Sequence, residues 1–581
     1  MSVGVGAELW VRAEPFSYGS LPVAPHPRLN FTNIKKIVIY AKNKGSAGYP
    51  KLSYSVWKHI ACNKLHLTED LAWVYFETCY FLTNDLSPSE RADRDERFAS
   101  SETQEDKNQL RFQYSVDTLK FVLFLYIQQL YRVSLRASLV AGDEWPTQTL
   151  SSLDLDGRST PRGSKSLDDH SHLVFVQTNL AEMMELLSDT DSGSGSGSSV
   201  DPGSIGSVSL AAVEALGFII AGTAEKSLEK KTLMPLQDIA VLQTVIYRSG
   251  YSKATRTFSS RSFQLWIKDF LCQNPYSVSA CIALGTRLTW PFAAEESGGG
   301  GEHTGGGATS RSKRGKIATN AHVVPKEHVV GNKLIIMSQV SKQTIARSSG
   351  TLERSTVKIH RSHYSYIYLL SPLRAVTIEK CRHTTVILGP VEAFIHVSNC
   401  ENVTVIASCR TIMVSGSTLC SLYLLTPNRP LLLSGNDTIL LAPYHTHYPP
   451  LSDQMTRSGI TPSLNLWDRP LCIGPDHRDD TPIWELLPPA DFYTFAVPFQ
   501  MEGPTKSIPG GLPSRYQRAV TQRQRQIDSW QRTVKEAGLS REQRKEFQAL
   551  VENRFHVWLS ETGHKRELDS LAVPLQQHDS S

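Results

Sequence analysis

The spacing of hydrophobic residues changes partway along the chain and divides it into two kinds of structure. Before residue 290, apolar residues follow helical spacing in the windows 67–82, 119–133, 210–222, 235–247 and 263–272. Ser115-Val-Asp-Thr precedes the second window and offers an N-cap. Residues 1–290 are therefore predicted to form an α-rich N-terminal domain, in which the β-branched segment Ile34–Tyr40 is the candidate for a strand.

A second pattern repeats after residue 350: apolar, variable, apolar, polar, polar, then Cys, Ser or Asn. Its copies start 19, 19, 17 and 19 residues apart, at Val357, Val376, Ile395, Ile412 and Leu431. Another short apolar segment follows each copy, and strands this short cannot bury an apolar face unless the copies stack. We therefore predict a parallel β-helix over residues 316–450. The last residues of the later four copies would form a ladder at one turn: Cys381, Cys400, Ser417 and Asn436.

Four stretches lack apolar periodicity and concentrate Gly, Ser, Pro or charge. Residues 86–108, 143–171 and 188–206 are predicted to be flexible inserts in the N-terminal domain, and residues 291–315 a Gly-rich basic linker. A Pro-rich extension is expected over residues 451–512. The β-helix domain is thus predicted to be separated from the α-rich domain and followed by an irregular segment.

The last part of the chain, residues 513–581, is predicted to be a helical hairpin and tail. Ser540-Arg-Glu-Gln543 is a capping-box sequence, and Gly538 would end the preceding helix. The apolar stripes of the two helices are expected to pack against each other and the body, with an exposed docking face as the alternative. Between Pro513 and Phe555 there are ten Lys and Arg against five Asp and Glu, an excess that would favour acidic partners.

Composition narrows the classes of protein that remain. The 581 residues are 40% apolar and 20% charged, which is typical of folded domains rather than of a disordered chain. A net charge of +5 is well short of the concentrated basic face of nucleic-acid binders. Nine cysteines without a C-x-x-C pair argue against a disulfide framework or zinc ribbon. No signal peptide, membrane span or cofactor is predicted, so we expect a cytoplasmic protein.

Several segments resemble the tubulin-binding cofactor C family, whose domain is a short right-handed β-helix similar to the C-terminal domain of cyclase-associated proteins. In the predicted β-helix they are Gln339–Thr344, Ser371–Cys381 and Leu388–Val391. Outside it, five more segments are similar to one member of the family: Leu9–Phe16, His59–Cys62, Asp70–Trp73, Ser115–Leu119 and Ile508–Pro513. The resemblance covers nearly the whole chain apart from the low-complexity inserts.

The resemblance implies a non-catalytic cytoskeletal scaffold or adaptor of the centrosome, spindle pole and basal body. Such a protein acts in centrosome and Golgi positioning and so in cell shape and migration, with centrosomal or tubulin-related proteins as partners. Two other functions stay open: a GTPase-activating protein for tubulin or a small Arf-like GTPase, and a tubulin-folding cofactor-like binder. A small GTPase bound without activation is also compatible with the resemblance.

The catalytic members of this family carry an arginine finger on the β-helix face, a few residues after a glutamine. In the corresponding segment Ala407–Val414, the arginine position falls on Ile412 or Met413, and no glutamine precedes it. Arg410 is the nearest replacement, but it lies two or three residues early, in or before the turn. We therefore predict no enzyme activity. The candidate partner-binding residues are Arg374, Lys380, Arg382, Arg410 and Met413. All of these except Arg410 are predicted to lie at the exposed face of the strands.

Two further chemistries, metal binding and nucleotide binding, lack the residues that they need. His445 and His447 would lie on one face of a strand as a possible metal pair, but no nearby acidic or cysteine ligand completes a site. Gly315-Lys316 is followed by Ile317, and Ser310 stands where a nucleotide-binding loop has its first glycine. No metal and no bound nucleotide are expected.

Overall fold

A computed structural model describes residues 7–131, 169–188, 206–225, 231–242, 248–287, 316–320, 333–348, 350–474 and 483–562. The chain forms two compact units. The first comprises the described residues within 1–86, 100–285 and 320–332, and the second those within 87–99, 286–319 and 333–581. Of the predicted inserts 143–171 and 188–206, residues 143–168 and 189–205 lie outside the described residues, as do the linker 291–315 and residues 132–133 and 243–247 of two predicted helices. Residues 169–171 of the first insert begin a helix instead.

The described chain up to residue 285 is mostly helical. Its helices are α1 Phe31–Lys42, α2 Tyr54–His59, α3 Glu69–Thr83, α4 Pro88–Ser100, α5 Gln104–Phe112, α6 Thr118–Ile127, α7 Asp169–Leu187, α8 Leu210–Leu216, α9 Leu236–Val241, α10 Ser260–Phe270 and α11 Val278–Leu284. Asp117 caps α6, and every residue of this helix except Lys120 is buried. Helix α6 is thus the centre of the first unit, as the apolar character of its sequence predicts.

Short strands complete the first unit. They are β1 Glu8–Val11, β2 Lys51–Ser53, β3 Ser115–Asp117, β4 Ser207–Ser209, β5 Ile220–Glu225, β6 Lys231–Met234, β7 Tyr251–Ser252, β8 Thr257–Ser259 and β9 Leu271–Cys272. Four of them form a sheet in the order β6-β5-β1-β9. The predicted helical window 210–222 is therefore only partly helical, because its last residues enter strand β5.

The predicted strand Ile34–Tyr40 is wrong, because it lies inside helix α1. Asn30 caps this helix by accepting a hydrogen bond from the Asn33 N–H. Buried Ile34, Ile37 and Val38 recur at helical spacing on one face. Burial of that stripe outweighs the strand preference of the β-branched residues.

The second unit contains the predicted parallel β-helix. The strands of this unit are β10 Thr286–Arg287, β11 Lys316–Thr319, β12 Leu334–Ser338, β13 Thr344–Arg347, β14 Ser355–His360, β15 Tyr366–Leu369, β16 Leu373–Glu379, β17 Arg382–Leu388, β18 Val391–Ser398, β19 Glu401–Ser415, β20 Ser421–Leu425, β21 Leu431–Leu432, β22 Ile439–Pro443, β23 Thr446–His447, β24 Leu471–Cys472, β25 Trp484–Leu486 and β26 Phe495–Ala496. The order β12-β14-β16-β18-β19 is parallel throughout. The predicted fold class is therefore confirmed.

The predicted repeats stack in register over most of the solenoid. Val357 pairs with Val376, Val376 with Ile395 and Ile395 with Ile412. The last pair is shifted by one residue, because Leu431 lies beside Met413. The structure adds a coil that the sequence pattern missed, formed by β12 and β13 ahead of Val357. The apolar side chains of successive coils meet in one core.

The predicted turn ladder is present. Cys381, Cys400, Ser417 and Asn436 are all buried. The Ser417 hydroxyl accepts from the Cys400 N–H at 3.1 Å, and the Asn436 Oδ1 accepts from the Ser417 N–H at 3.0 Å. Small polar and thiol side chains thus satisfy backbone groups at a corner that has no room for larger ones.

Three helices follow or flank the strands: α12 Leu451–Ser458, α13 Ser514–Glu536 and α14 Arg541–Thr562. The first turns of α13 are anchored to the β-helix, since Tyr516 is buried in its core and donates to the Leu487 carbonyl at 2.7 Å. Ser540 and Gln543 form the capping box of α14. Among the described residues, each helix is too short or too polar to span a membrane.

Candidate partner-binding surface

Arg410 lies within strand β19 and is buried, with only 1% of its surface exposed. Its Nη2 donates to Asp95 Oδ2 at 2.9 Å and to the Gly459 carbonyl at 2.9 Å. Asp95 belongs to helix α4 and is itself 4% exposed. The guanidinium is therefore held between a carboxylate and a backbone carbonyl, away from solvent.

Helix α4 makes a second buried ion pair with the β-helix. Arg91 Nη2 lies 2.6 Å from Glu392 Oε1, and Arg374 Nη1 approaches the same oxygen at 3.2 Å. Burial opposes ionisation of Glu392, but Arg374, Arg91 and Arg354 together hold the pKa of its carboxyl below the ordinary value. The carboxylate is thus ionised and surrounded by three guanidinium groups.

Local sequence explains why α4 begins where it does. The Ser87 N–H donates to Glu90 Oε2 at 2.8 Å and the Glu90 N–H donates to Ser87 Oγ, which is a capping box. Pro88 is the first residue of the helix, a position that needs no N–H donor. The packed face consists of Arg91, Arg94 and Asp95. The predicted flexible insert 86–108 is therefore wrong, because α4 and α5 occupy it.

The five predicted partner-binding residues differ in how far the structure exposes them to solvent. Met413 is 1% exposed, so the prediction that it lies on the exposed strand face is wrong. Arg410, predicted to lie in or before the turn, is buried within strand β19 instead. Arg374 pairs with Glu392, and Lys380 Nζ lies 3.5 Å from Glu379 Oε1. Arg382 is accessible, with 64% of its side chain exposed and its Nε 3.2 Å from Glu401 Oε2. Only Arg382 among the five presents a largely exposed cation.

Beside Arg382 the corners of successive coils form an exposed ridge. We define the corner ridge as Tyr364, His383, Asn402 and Leu419, together with the flanking Arg382–Glu401 pair. The Tyr364 and His383 rings stack with centroids 4.7 Å apart, and the His383 Nδ1 lies 2.8 Å from Asn402 Nδ2. Tyr364 is 37% and Leu419 is 56% exposed.

The four corner residues of the ridge, Tyr364, His383, Asn402 and Leu419, adopt left-handed backbone conformations, with φ between 46° and 55°. Bulky side chains are uncommon in this region, where Gly and Asn are preferred. These four positions are not among the predicted partner-binding residues. The repeat does contain a signal, since each ridge residue lies seven positions after the start of a repeat copy.

His445, one of the two histidines considered as a possible metal pair, packs inside the second unit. His445 is buried, and its ring stacks on Tyr423 with centroids 3.9 Å apart. Burial lowers the pKa of His445 to about 3, so the imidazole is neutral at physiological pH. No cluster of three metal-ligating side chains occurs among the described residues. His445 is a packing residue.

Comparison with known proteins finds a family match over the β-helix and relatives over nearly the whole chain. The tubulin binding cofactor C family model matches residues 354–471. The chain is 46% identical to the TBCC domain-containing protein 1 of Homo sapiens over 569 residues, which is 97% of both chains. It is 43% identical to that of Gallus gallus over 98% of both chains, and 39% identical to that of Danio rerio over 98% of this chain and 94% of the relative. These relatives are named for a domain and not for an enzyme activity.

Proposed function

Because the chain belongs to the family of TBCC domain-containing protein 1, we propose that it is a non-catalytic cytoskeletal scaffold or adaptor. The match to the tubulin binding cofactor C family supports a tubulin-related or cytoskeletal role. The proposed locations are the centrosome, spindle pole and basal body. The proposed roles are centrosome and Golgi positioning and, through them, cell shape and migration.

The burial of Arg410 is the observation that carries the non-catalytic part of the proposal. An arginine finger acts by placing its guanidinium against the phosphoryl group of a partner's nucleotide. The Arg410 guanidinium instead contacts Asp95 and the Gly459 carbonyl. Bringing it to a phosphate would require breaking a buried ion pair, which is strongly unfavourable.

We propose the corner ridge as the partner-binding surface. Its stacked Tyr364 and His383 rings and the exposed Leu419 provide apolar and aromatic area, the type of surface that anchors protein interfaces. The adjacent Arg382–Glu401 pair adds charges at the rim, which set partner choice more than affinity. The ridge follows the stacking direction of the coils, so it suits an extended segment of a partner protein.

The test is proximity labelling of the full chain in cells, comparing wild type with Tyr364→Ser/Leu419→Ser. We expect the double variant to lose centrosomal signal and most centrosomal neighbours. Leu284→Ser is the matched control, because Leu284 is 75% exposed and lies in the first unit. Unchanged localisation and labelling in the double variant would reject the ridge as the targeting surface.

GTPase activation is tested separately, with tubulin or a small Arf-like GTPase in a single-turnover assay. We expect no stimulation above the basal hydrolysis rate. An arginine finger contributes roughly 10³–10⁵ in rate, so stimulation of about a hundredfold that disappears in Arg410→Ala would show that Asp95 releases Arg410 and would overturn the proposal. A tubulin-folding cofactor-like binder would instead retain soluble tubulin on the ridge without affecting hydrolysis.

A further inference from the structure

Helix α14 leaves a broad set of apolar side chains in water. Leu550 is 59%, Phe555 49% and Trp558 48% exposed. Because an aromatic side chain buries ~150–250 Å² when it is fully covered, Phe555 and Trp558 alone expose ~200 Å². With Val551 and Val557, which are also exposed, the helix carries a patch large enough to mark an interaction site.

The residues of this surface have a palindromic spacing along the helix. In order they are Arg544, Phe547, Leu550, Val551, Arg554, Phe555, Trp558 and Glu561. At ~100° per residue they share one face about 140° wide. Reading from either end gives the same intervals, and the centre of the pattern lies between Glu552 and Asn553.

We propose that this face of α14 binds α14 of a second copy of the chain, in an antiparallel pair with two-fold symmetry. Two-fold interfaces are self-complementary, which is the property that a palindromic spacing provides. In the antiparallel pair, Phe547 faces Trp558 of the second copy and Leu550 faces its Phe555. Val551 lies against the stem of the second copy's Arg554, whose aliphatic part covers apolar surface while the charge stays in water.

Charge complementarity specifies the antiparallel direction. Arg544 of one copy lies opposite Glu561 of the other, and the symmetry creates this pair twice. The two residues cannot pair within one helix, because 17 positions at 1.5 Å each separate them by ~25 Å. A parallel pair would instead place Arg544 against Arg544. Helix α14 carries four Lys or Arg and four Asp or Glu, so the two α14 helices do not repel each other through net charge.

The apolar area available to the pair is modest. Helix α13 adds Ile527 and Trp530, which are 40% and 52% exposed, and the Trp530 ring lies 6.1 Å from that of Phe547. Together the two helices offer roughly 600 Å² of apolar surface per copy, near the lower end of the ~1,200–2,000 Å² total of stable interfaces. We therefore expect a dimer with a dissociation constant in the micromolar range. This inference does not depend on the corner ridge.

Sedimentation equilibrium of the purified full chain at about 1–100 µM tests the proposal. We expect the wild type to shift from 64.6 kDa toward twice that mass with rising concentration. Leu550→Glu/Phe555→Glu is expected to stay monomeric at all these concentrations. Both side chains are exposed, so circular dichroism and thermal melting should match those of the wild type.

Charge reversal separates the antiparallel pair from other modes of association. Arg544→Glu and Glu561→Arg should each raise the dissociation constant about tenfold, and Arg544→Glu/Glu561→Arg should restore it. Lys545→Glu is the matched control, because Lys545 lies on the opposite side of the helix and should not change the constant. A wild type that remains at 64.6 kDa, a dimer that survives Leu550→Glu/Phe555→Glu, or a double reversal no better than the single changes would overturn the proposal. A monomeric wild type would indicate that the chain's own C-terminal residues or another protein covers the face.

Discussion

Replacement of Asp95 by Ala is expected to detach helix α4 from the β-helix. The change leaves the Arg410 guanidinium buried beside a cavity in place of the carboxylate that lies 2.9 Å from it. Removing one partner of a buried ion pair costs about 3–5 kcal/mol. Because the Gly459 carbonyl still accepts a hydrogen bond from Arg410, we expect a cost at the lower end of this range, about 3 kcal/mol.

Hydrogen exchange of the backbone amides in residues 90–98 measures this effect. At ~1.4 kcal/mol per factor of ten, the opening constant of α4 should rise about a hundredfold, while the core strands keep their protection. Asp93→Ala is the matched control, since Asp93 is exposed on the same helix and should exchange as the wild type does. The variant Asp95→Leu/Arg410→Met removes both charges and should recover most of the protection, because apolar pairs often replace buried ion pairs without loss.

Equal exchange in Asp95→Ala and Asp93→Ala would refute this reasoning. It would mean that the Arg410 charge finds other partners at no cost, or that α4 is held by contacts other than its ion pairs. Failure of the double replacement to recover protection, with the single change still destabilising, would point to geometry at Asp95 rather than to charge.

Three further predictions concern stability and catalysis. Ile395→Asp should unfold the β-helix, because a buried unpaired carboxylate costs several kcal/mol, whereas Thr377→Asp on the outer side of a neighbouring strand should shift the melting temperature little. The pKa of His445 is about 3 in the folded chain against 6.5 unfolded, so protonation of the unfolded chain lowers stability as pH falls below 6.5, by about 2 kcal/mol at pH 5; urea titrations of His445→Phe should lack this part of the loss. Met413→Arg should lower the melting temperature and give no GTPase stimulation, since position 413 is buried.

The β-helix could be predicted from sequence because its apolar residues recur at a nearly constant interval of 17 to 19 residues. The pairing of Val376 with Ile395 and of Ile395 with Ile412 follows directly from that interval. The first coil did not fit, because Ile335 precedes its partner Val357 by 22 residues rather than 17 to 19. The left-handed corners were also hidden, since backbone conformation at Tyr364 or Leu419 leaves no compositional trace.

Helix α4 could not be predicted for a different physical reason. Periodicity detects apolar faces, and the packed face of α4 is made of Arg91, Arg94 and Asp95. Their partners Glu392 and Arg410 lie about 300 residues away in sequence. The sequence therefore does not indicate the burial of Arg410, on which the proposed function depends, because that burial arises only when helix α4 packs on the strands.

The separation of 315 residues between Asp95 and Arg410 has a consequence for biosynthesis. At roughly 5–20 residues per second, a ribosome needs about 15–60 s to extend the chain from one to the other. Helix α4 therefore emerges long before the surface that it covers, and its Arg91 and Asp95 side chains remain hydrated during that interval. Because the packed face of α4 is charged, it exposes no apolar stripe during that interval, and exposed apolar surface is what makes incompletely folded chains prone to aggregation.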